Sequence, residues 1–227
     1  MKTFDVIALG ELNVDLILNR IAGFPEVGKE IFARDMICTL GSSTAIFAAN
    51  VSALGARTAF AGMIGRDAFG ELVRGSLEAR GVDTRYVIEA ADRATGVTVV
   101  MSYGEDRANV TYPGAMEALR FADLDPEIFL SARHIHLSSL FMQPGLLADI
   151  VPILRAAHDG GATVSLDTQW DPAEEWRIDC REVLPLIDVF MPNEAELTAL
   201  AHAASLDEAI GSVRPWLRRA MIVKRGS

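Results

Sequence analysis

Asn13 and Asp15 stand two residues apart in Gly10-Glu11-Leu12-Asn13-Val14-Asp15, directly after a short apolar run from Val6 to Leu9. Open α/β sheets bind ligands at the carboxyl ends of their strands, and a short carboxylate placed there accepts paired hydrogen bonds from hydroxyl groups. Ordinary turn chemistry is the competing reading, and these two residues alone leave both open. Gly41-Ser42-Ser43-Thr44 then opens a helical pattern that continues from Ala45 to Val51. A glycine lets backbone approach a ligand closely, while Ser42 and Ser43 can either hydrogen-bond a polyol or cap the helix.

Other groups hint at chemistry that their neighbours do not support. His134 and His136 alternate on a strand pattern and share a face, but without a nearby carboxylate they read as packing residues rather than a metal pair. The stretch Gly23-Phe24-Pro25-Glu26-Val27-Gly28-Lys29-Glu30 has phosphate-loop spacing except at its end, where Glu30 replaces the Ser or Thr that binds magnesium. Glu26 and Glu30 would repel phosphate, and strand-like residues follow Lys29, so the stretch reads as a Pro-Gly turn. No Gly-x-Gly-x-x-Gly follows the first strand and no Gly-x-Ser-x-Gly occurs, which argues against a dinucleotide dehydrogenase and a serine hydrolase. Cys38 and Cys180 are far apart and lack zinc-ligand spacing, a usage that suits the reducing cytoplasm.

The elements that must position these residues follow from composition and pattern. The chain has 227 residues, 50% of them hydrophobic, enough to bury a sizeable core. Its 21 basic residues against 31 acidic ones give a net charge of -10, the wrong sign for neutralising nucleic-acid phosphates or binding an anionic membrane surface. Its apolar runs are too short for a signal segment or a membrane span. Short Val- and Ile-rich runs alternate with longer helix-period stretches, which predicts an α/β chain whose mostly parallel sheet is covered on both faces. Strands are expected near 6–9, 58–62, 134–137, 163–167, 189–191 and 221–224, and helices near 43–53, 68–79, 146–158, 194–201 and 206–217. The segments 30–40 and 96–112 look like β material without helices, a small antiparallel lid with a hairpin turn at Gly104-Glu105-Asp106.

The order of the motifs resembles the PfkB family of carbohydrate kinases, in the ribokinase-like superfamily. The matching elements are Gly10-Glu11 with Asn13 and Asp15, Pro25 with Gly28, the helix opening at Gly41, Leu54-Gly55, and Gly62-Met63-Ile64-Gly65-Arg66-Asp67 with Phe69-Gly70. Gly81-Val82, Asp167 and Pro192-Asn193-Glu194-Ala195-Glu196 complete the series. The resemblance implies a three-layer α/β/α fold over residues 1–227, with a lid from about 12–40 and 95–112. It implies transfer of the ATP γ-phosphoryl group to a hydroxyl of a sugar or sugar acid, with ATP and Mg2+ as cofactors and a small-molecule sugar as partner. Asn13, Asp15, Gly41 and Ser42 would hold sugar hydroxyls, and a homodimer through the lid is compatible with the pattern. Asn193 and Glu196 match the family's Asn-x-x-Glu element, which helps place magnesium and phosphate. Three residues apart, they share a helical face, although a capping box has the same spacing. Lys224 and Gly226 resemble the start of the family's nucleotide-binding stretch.

Three departures qualify that picture. Ser42 takes the place of the second glycine of the family's usual Gly-Gly pair, and Ile46 stands where many sugar kinases carry an Asn, which makes ribose a poorer candidate. No Gly-x-Gly-Asp, the family's anion hole and base, occurs in the 227 residues. The apolar run at 221–223 is followed by Lys224-Arg225-Gly226-Ser227 without the covering helix expected of a buried parallel strand, so the chain reads as the incomplete N-terminal portion of a kinase, inactive by itself. A non-catalytic sugar-binding or regulatory protein and a nucleoside kinase of the same superfamily are the alternatives.

Overall fold

β1 (Phe4–Leu9) is an interior strand of the larger of two sheets in a computed structural model that describes residues 2–23, 25–104 and 106–225. The chain continues through β2 (Asn13–Asn19), β3 (Asp35–Leu40), α1 (Ser43–Ala53), β4 (Thr58–Gly65), α2 (Ala68–Glu78) and β5 (Asp83–Ala90). Next come β6 (Gly96–Tyr103), β7 (Asp106–Tyr112), α3 (Glu127–Ser131), β8 (Ala132–Ser138), α4 (Pro144–Ala148), α5 (Ile150–Asp159) and β9 (Thr163–Asp167). The last elements are α6 (Cys180–Val183), β10 (Val189–Phe190), α7 (Glu194–Leu200), α8 (Leu206–Val213) and β11 (Ala220–Met221).

The large sheet runs β11-β10-β9-β8-β1-β4-β5, and every neighbouring pair in it is parallel. Its central strands read as near-continuous apolar runs because both faces are covered; β4 is buried at every position. Ile7, Leu9, Ile135, Leu137 and Val164 pack with Ile153 and Leu154 of α5 on one face, and Ala8, Phe60 and Ile64 pack with Ala45 of α1 and Leu77 of α2 on the other. Helices on both sides of one parallel sheet make the three layers. Among the described residues no helix is long and apolar enough to cross a membrane.

The small sheet runs β3-β2-β6-β7. It is mixed rather than antiparallel: β2 is antiparallel to β3 and β6 to β7, but β2 and β6 are parallel. Both of these strands are entered from the carboxyl edge of the large sheet, so they must run the same way. At the β6–β7 hairpin Gly104 adopts φ +58° in the left-handed region, and Glu105 lies outside the described residues.

Elsewhere the boundaries differ from expectation for local reasons. β5 was hidden in the sequence because it is an edge strand with polar residues on its outer positions. The helix expected over 146–158 breaks at Asp149, whose carboxylate accepts from Arg120 Nε at 2.8 Å and from the Phe121 amide at 3.0 Å. The one expected to reach 217 ends at Val213, because Pro215 allows only a 3-10 turn over Arg214–Trp216. Regular pairing in β11 covers only Ala220–Met221, and a single bridge between Asn193 and Lys224 extends it.

One motif turns out to join the two sheets. Asp67 caps α2 by accepting from the Gly70 amide at 2.8 Å, and it also accepts from the amide and hydroxyl of Thr95, both at 2.8 Å. Thr95 immediately precedes β6. Burial would raise the Asp67 carboxyl, but these hydrogen bonds outweigh it and hold the group below its usual range.

Candidate functional site

The carboxyl edge of the large sheet and one face of the small sheet enclose a cavity of about 290 Å³. Asn13 and Asp15 open β2 and point into it, because alternate strand residues share a face. Asn13 Nδ2 donates to Asp15 Oδ1 and to Thr98 Oγ1, each at 2.9 Å, and Thr98 Oγ1 lies 3.0 Å from Thr111 Oγ1. Asp15 pairs with Thr98, and Thr98 with Thr111, in the strand register, so this chain of hydrogen bonds crosses β2, β6 and β7. Both amide hydrogens of Asn13 are therefore committed to orienting the carboxylate and its neighbour. Burial raises the Asp15 carboxyl above its ordinary value, the Asn13 hydrogen bond and the positive charge of Arg107 pull it back, and Glu11 pushes it up.

The opposite wall is the loop that starts α1. Ser42 is its N-cap, accepting from the Ala45 amide at 2.8 Å while its hydroxyl donates to the Glu11 carbonyl at 2.7 Å. The cap reading of Ser42 thus describes its side chain, and little of that hydroxyl remains for a ligand. Ser43, which also lines the cavity, joins a cluster around Glu11, itself a lining residue. The Glu11 carboxylate accepts from Ser43 Oγ at 2.9 Å, Ser139 Oγ at 3.0 Å, the Thr44 amide at 3.3 Å and the Thr44 hydroxyl. Three non-glycine residues lining the cavity, Ser42, Ser139 and Gln169, sit in the left-handed region with φ of +67°, +52° and +58°. Such strain persists only where surrounding contacts over-determine the backbone.

Thr98, Arg107, Asn109 and Ser139 were missing from the sequence reading. Arg107, Asn109 and Thr111 alternate along β7, a period-two polar spacing that carried the signal; Ser139 follows β8 at the carboxyl edge of the large sheet, across the cavity's lining from Asp15. Ile46 also lines the cavity.

A second cluster gathers at the ends of β9, β10 and β11. Asn193 and Glu196 form a complete capping box: Glu196 Oε2 accepts from the Asn193 amide at 2.8 Å and Asn193 Oδ1 from the Glu196 amide at 2.8 Å. Glu196 is buried, which raises its carboxyl, and Lys224 partly offsets that. Lys224 Nζ donates to Asp167 Oδ2 at 2.6 Å, whereas Asp167 Oδ1 is buried without a hydrogen-bond partner. Gly226 lies outside the described residues.

His134 and His136 do share a face, but they flank Ser165, whose Oγ lies 2.7 Å from His134 Nε2 and 2.8 Å from His136 Nδ1. His136 stacks on Phe47 with ring centroids 3.7 Å apart. Among the described residues no group of three or more His, Cys, Asp or Glu could hold a metal directly.

The profile of the pfkB family carbohydrate kinases matches residues 3–227. The chain belongs to that family. This pfkB-family chain is 31% identical to a probable fructokinase-3 of Arabidopsis thaliana over 179 residues, 74% of this chain and 51% of that protein. It is 27% identical to an uncharacterized sugar kinase of Archaeoglobus fulgidus over 150 residues, 66% of this chain and 59% of that protein. The pfkB-family chain thus spans between half and three fifths of the length of these two relatives. Among solved structures it resembles a putative ribokinase II from E. coli in complex with ATP and Mg2+, at a TM-score of 0.80 and 25% identity, covering 98% of this chain and 73% of that one.

Proposed function

We propose that this chain is the sugar-binding portion of a kinase that transfers the γ-phosphoryl group of ATP to a hydroxyl of a sugar or sugar acid. The observation that carries the reading is the Asp15 carboxylate, held by Asn13 over the cavity floor and facing the Gly41 loop. An ionised carboxylate accepts two hydroxyl hydrogen bonds, which selects polyols over ligands without donors. The small sheet acts as a lid, with Thr98, Asn109 and Thr111 offering further polar contacts from above.

The second cluster suits magnesium and phosphate. An orphaned, buried carboxylate oxygen on Asp167 fits a cation, and magnesium, which keeps several of its waters, needs few protein ligands. Asp167 and Glu196 would hold the ion through those waters, and the bound magnesium nucleotide would supply the transferable phosphoryl group. Lys224 contributes a positive charge that offsets phosphate, and the Asn193 cap fixes the Glu196 carboxylate in place. These residues bind and orient; no Gly-x-Gly-Asp is present to supply the family's base, so the 227 residues are proposed to bind sugar without turnover.

Titration calorimetry with a panel of sugars and sugar acids, with and without a magnesium nucleotide analogue, tests the reading. Binding that Asp15→Ala weakens is expected, with no sugar-dependent ATP consumption. An Asp15→Ala chain that binds sugars like the wild type would remove the pocket assignment, and robust turnover would remove the claim that the base is missing.

A further inference from the structure

Glu11 is only 2% exposed, yet it borders the polyol cavity. A carboxylate this deeply buried must be satisfied by hydrogen bonds. Those of Glu11 come largely from hydroxyls: Ser43 and Ser139 both reach Oε1, at 2.9 and 3.0 Å, and the Thr44 hydroxyl reaches Oε2. The backbone is shaped around this cluster. Ser139 is held in the left-handed region at φ +52°, and a β-carbon on Gly10 would collide with the Thr44 hydroxyl.

Each hydroxyl carries one hydrogen, so the direction of the hydrogen bonds can be worked out. Ser43 Oγ and Ser139 Oγ lie 2.8 Å apart, and Ser138 Oγ lies 3.0 Å from Ser43 Oγ. The Ser139 hydrogen goes to Glu11 or to Ser43, and the Ser43 hydrogen goes to Glu11 or to a neighbouring serine. In every such arrangement both hydrogens stay inside the cluster, and the two serines turn lone pairs toward the cavity they line. An ionised acceptor holds them there more strongly than a neutral ligand oxygen could. Ser42 and Asn13 are committed in the same sense: the Ser42 hydroxyl donates to the Glu11 carbonyl, and the Asn13 amide donates to Asp15 and Thr98. This part of the cavity therefore accepts hydrogen bonds and does not donate them. Arg107 and Asn109, which carry N–H donors, stand apart from it on β7 in the lid.

We infer that Glu11 is a specificity-determining positioning residue: by taking up the hydrogens of Ser43 and Ser139 it makes their oxygens a second acceptor group, which recognises a ligand hydroxyl of its own. The inference rests on the polyol reading of Asp15 and deepens it. Asp15 belongs to β2 of the small sheet, whereas Ser139 follows β8 of the large one, so the two acceptor groups face a ligand from different walls and read different hydroxyls. A ligand group that accepts but cannot donate, such as a carbonyl, an ether or a C–F bond, meets lone pairs at the serines and is rejected.

Dissociation constants of the 227-residue chain are measured near neutral pH for D-glucose, D-fructose and D-ribose and for their monofluorodeoxy analogues, in which one hydroxyl at a time loses its hydrogen. For a parent sugar that binds, fluorine is expected to cost about tenfold at two or more positions, the scale of one lost hydrogen bond. Glu11→Gln sets an N–H donor against the serines and releases a hydroxyl hydrogen to the cavity, so the penalty at one of these positions should shrink to about threefold or less. Asp15→Ala should relieve a different position. Ser43→Ala or Ser139→Ala should relieve the same position as Glu11→Gln, and these variants read the serine oxygens directly even if Glu11→Gln does not fold. A Glu11→Gln chain that binds the parent and every analogue more weakly by one common factor makes Glu11 purely structural and overturns the inference. A fluorine penalty confined to the position that Asp15→Ala relieves, or left unchanged by both serine variants, overturns it too; in all these cases the polyol reading stands. If no parent sugar binds, or Asp15→Ala changes nothing, both readings fall.

Discussion

A β-carbon built on Gly41 would fall on Asp15 Oδ1 and within 2.6 Å of Asn13 Nδ2. The glycine is therefore part of the carboxylate's seat: with any side chain there, Asp15 and Asn13 must leave the positions that join them across β2 and β6. Gly41→Ala is expected to weaken sugar binding about tenfold, or ~1.4 kcal/mol, with a much smaller change in unfolding midpoint. Calorimetry paired with urea titration checks it, and equal affinity in the variant would mean that the Asp15 geometry is unimportant.

Asp15→Ala should weaken polyol binding by about 1.5 to 3 kcal/mol, since a charged acceptor is lost. Because burial raises the Asp15 carboxyl, sugar affinity should be flat near neutrality and fall as pH drops through that raised value, which lies above the ordinary 3.8. For stability the sign is opposite: the folded chain holds this proton more tightly than the unfolded one, so the contribution is present at low pH and lost as pH rises through the folded value. Arg107→Ala should move the binding transition to higher pH, because Arg107 favours the ionised form. Affinity measured across the acidic range in both chains would show the shift or its absence.

Asp67→Ala removes both the α2 cap and the tie to Thr95 at the root of β6. A cost of about 1 to 2 kcal/mol is expected. Hydrogen exchange should quicken in β6 and β7 more than in β9, because the small sheet loses its anchor while the large one keeps both covering layers. Uniform acceleration across all strands would instead assign Asp67 to general stability.

His136 is pushed down to about 3 by burial, with repulsion from His134 and Lys224 adding to it. Its ordinary value is 6.5, so between those limits the unfolded chain binds a proton that the folded chain refuses. Stability should therefore decline as pH falls below about 6.5. His136→Leu should flatten that decline even if it costs stability at neutral pH. Urea midpoints measured against pH for both chains decide the matter; parallel curves would exclude His136 as the acid-sensitive group.

Much of this architecture is local and could be read along the chain. β1, β4, β8 and β9 are short apolar runs because a strand buried on both faces has little room for polar residues, and the cap at Asn193 is visible because a capping box needs a fixed three-residue spacing. β5 was not legible, since an edge strand may be polar on its open side and leaves no continuous run. The family motifs placed Asn13, Asp15, Gly41 and Ser42 near one another in order, but not their division of labour. Only the tertiary structure decided that the hydroxyl of Ser42 is taken by its cap and by Glu11, that Thr98 meets Asn13 from 85 residues away, and that Ser139 meets Glu11 from 128. Local pattern sets which segments become strands and helices because burial and capping act over a few residues; which side chains share a cavity depends on sheet order and register, and those are settled by contacts between segments far apart in the chain.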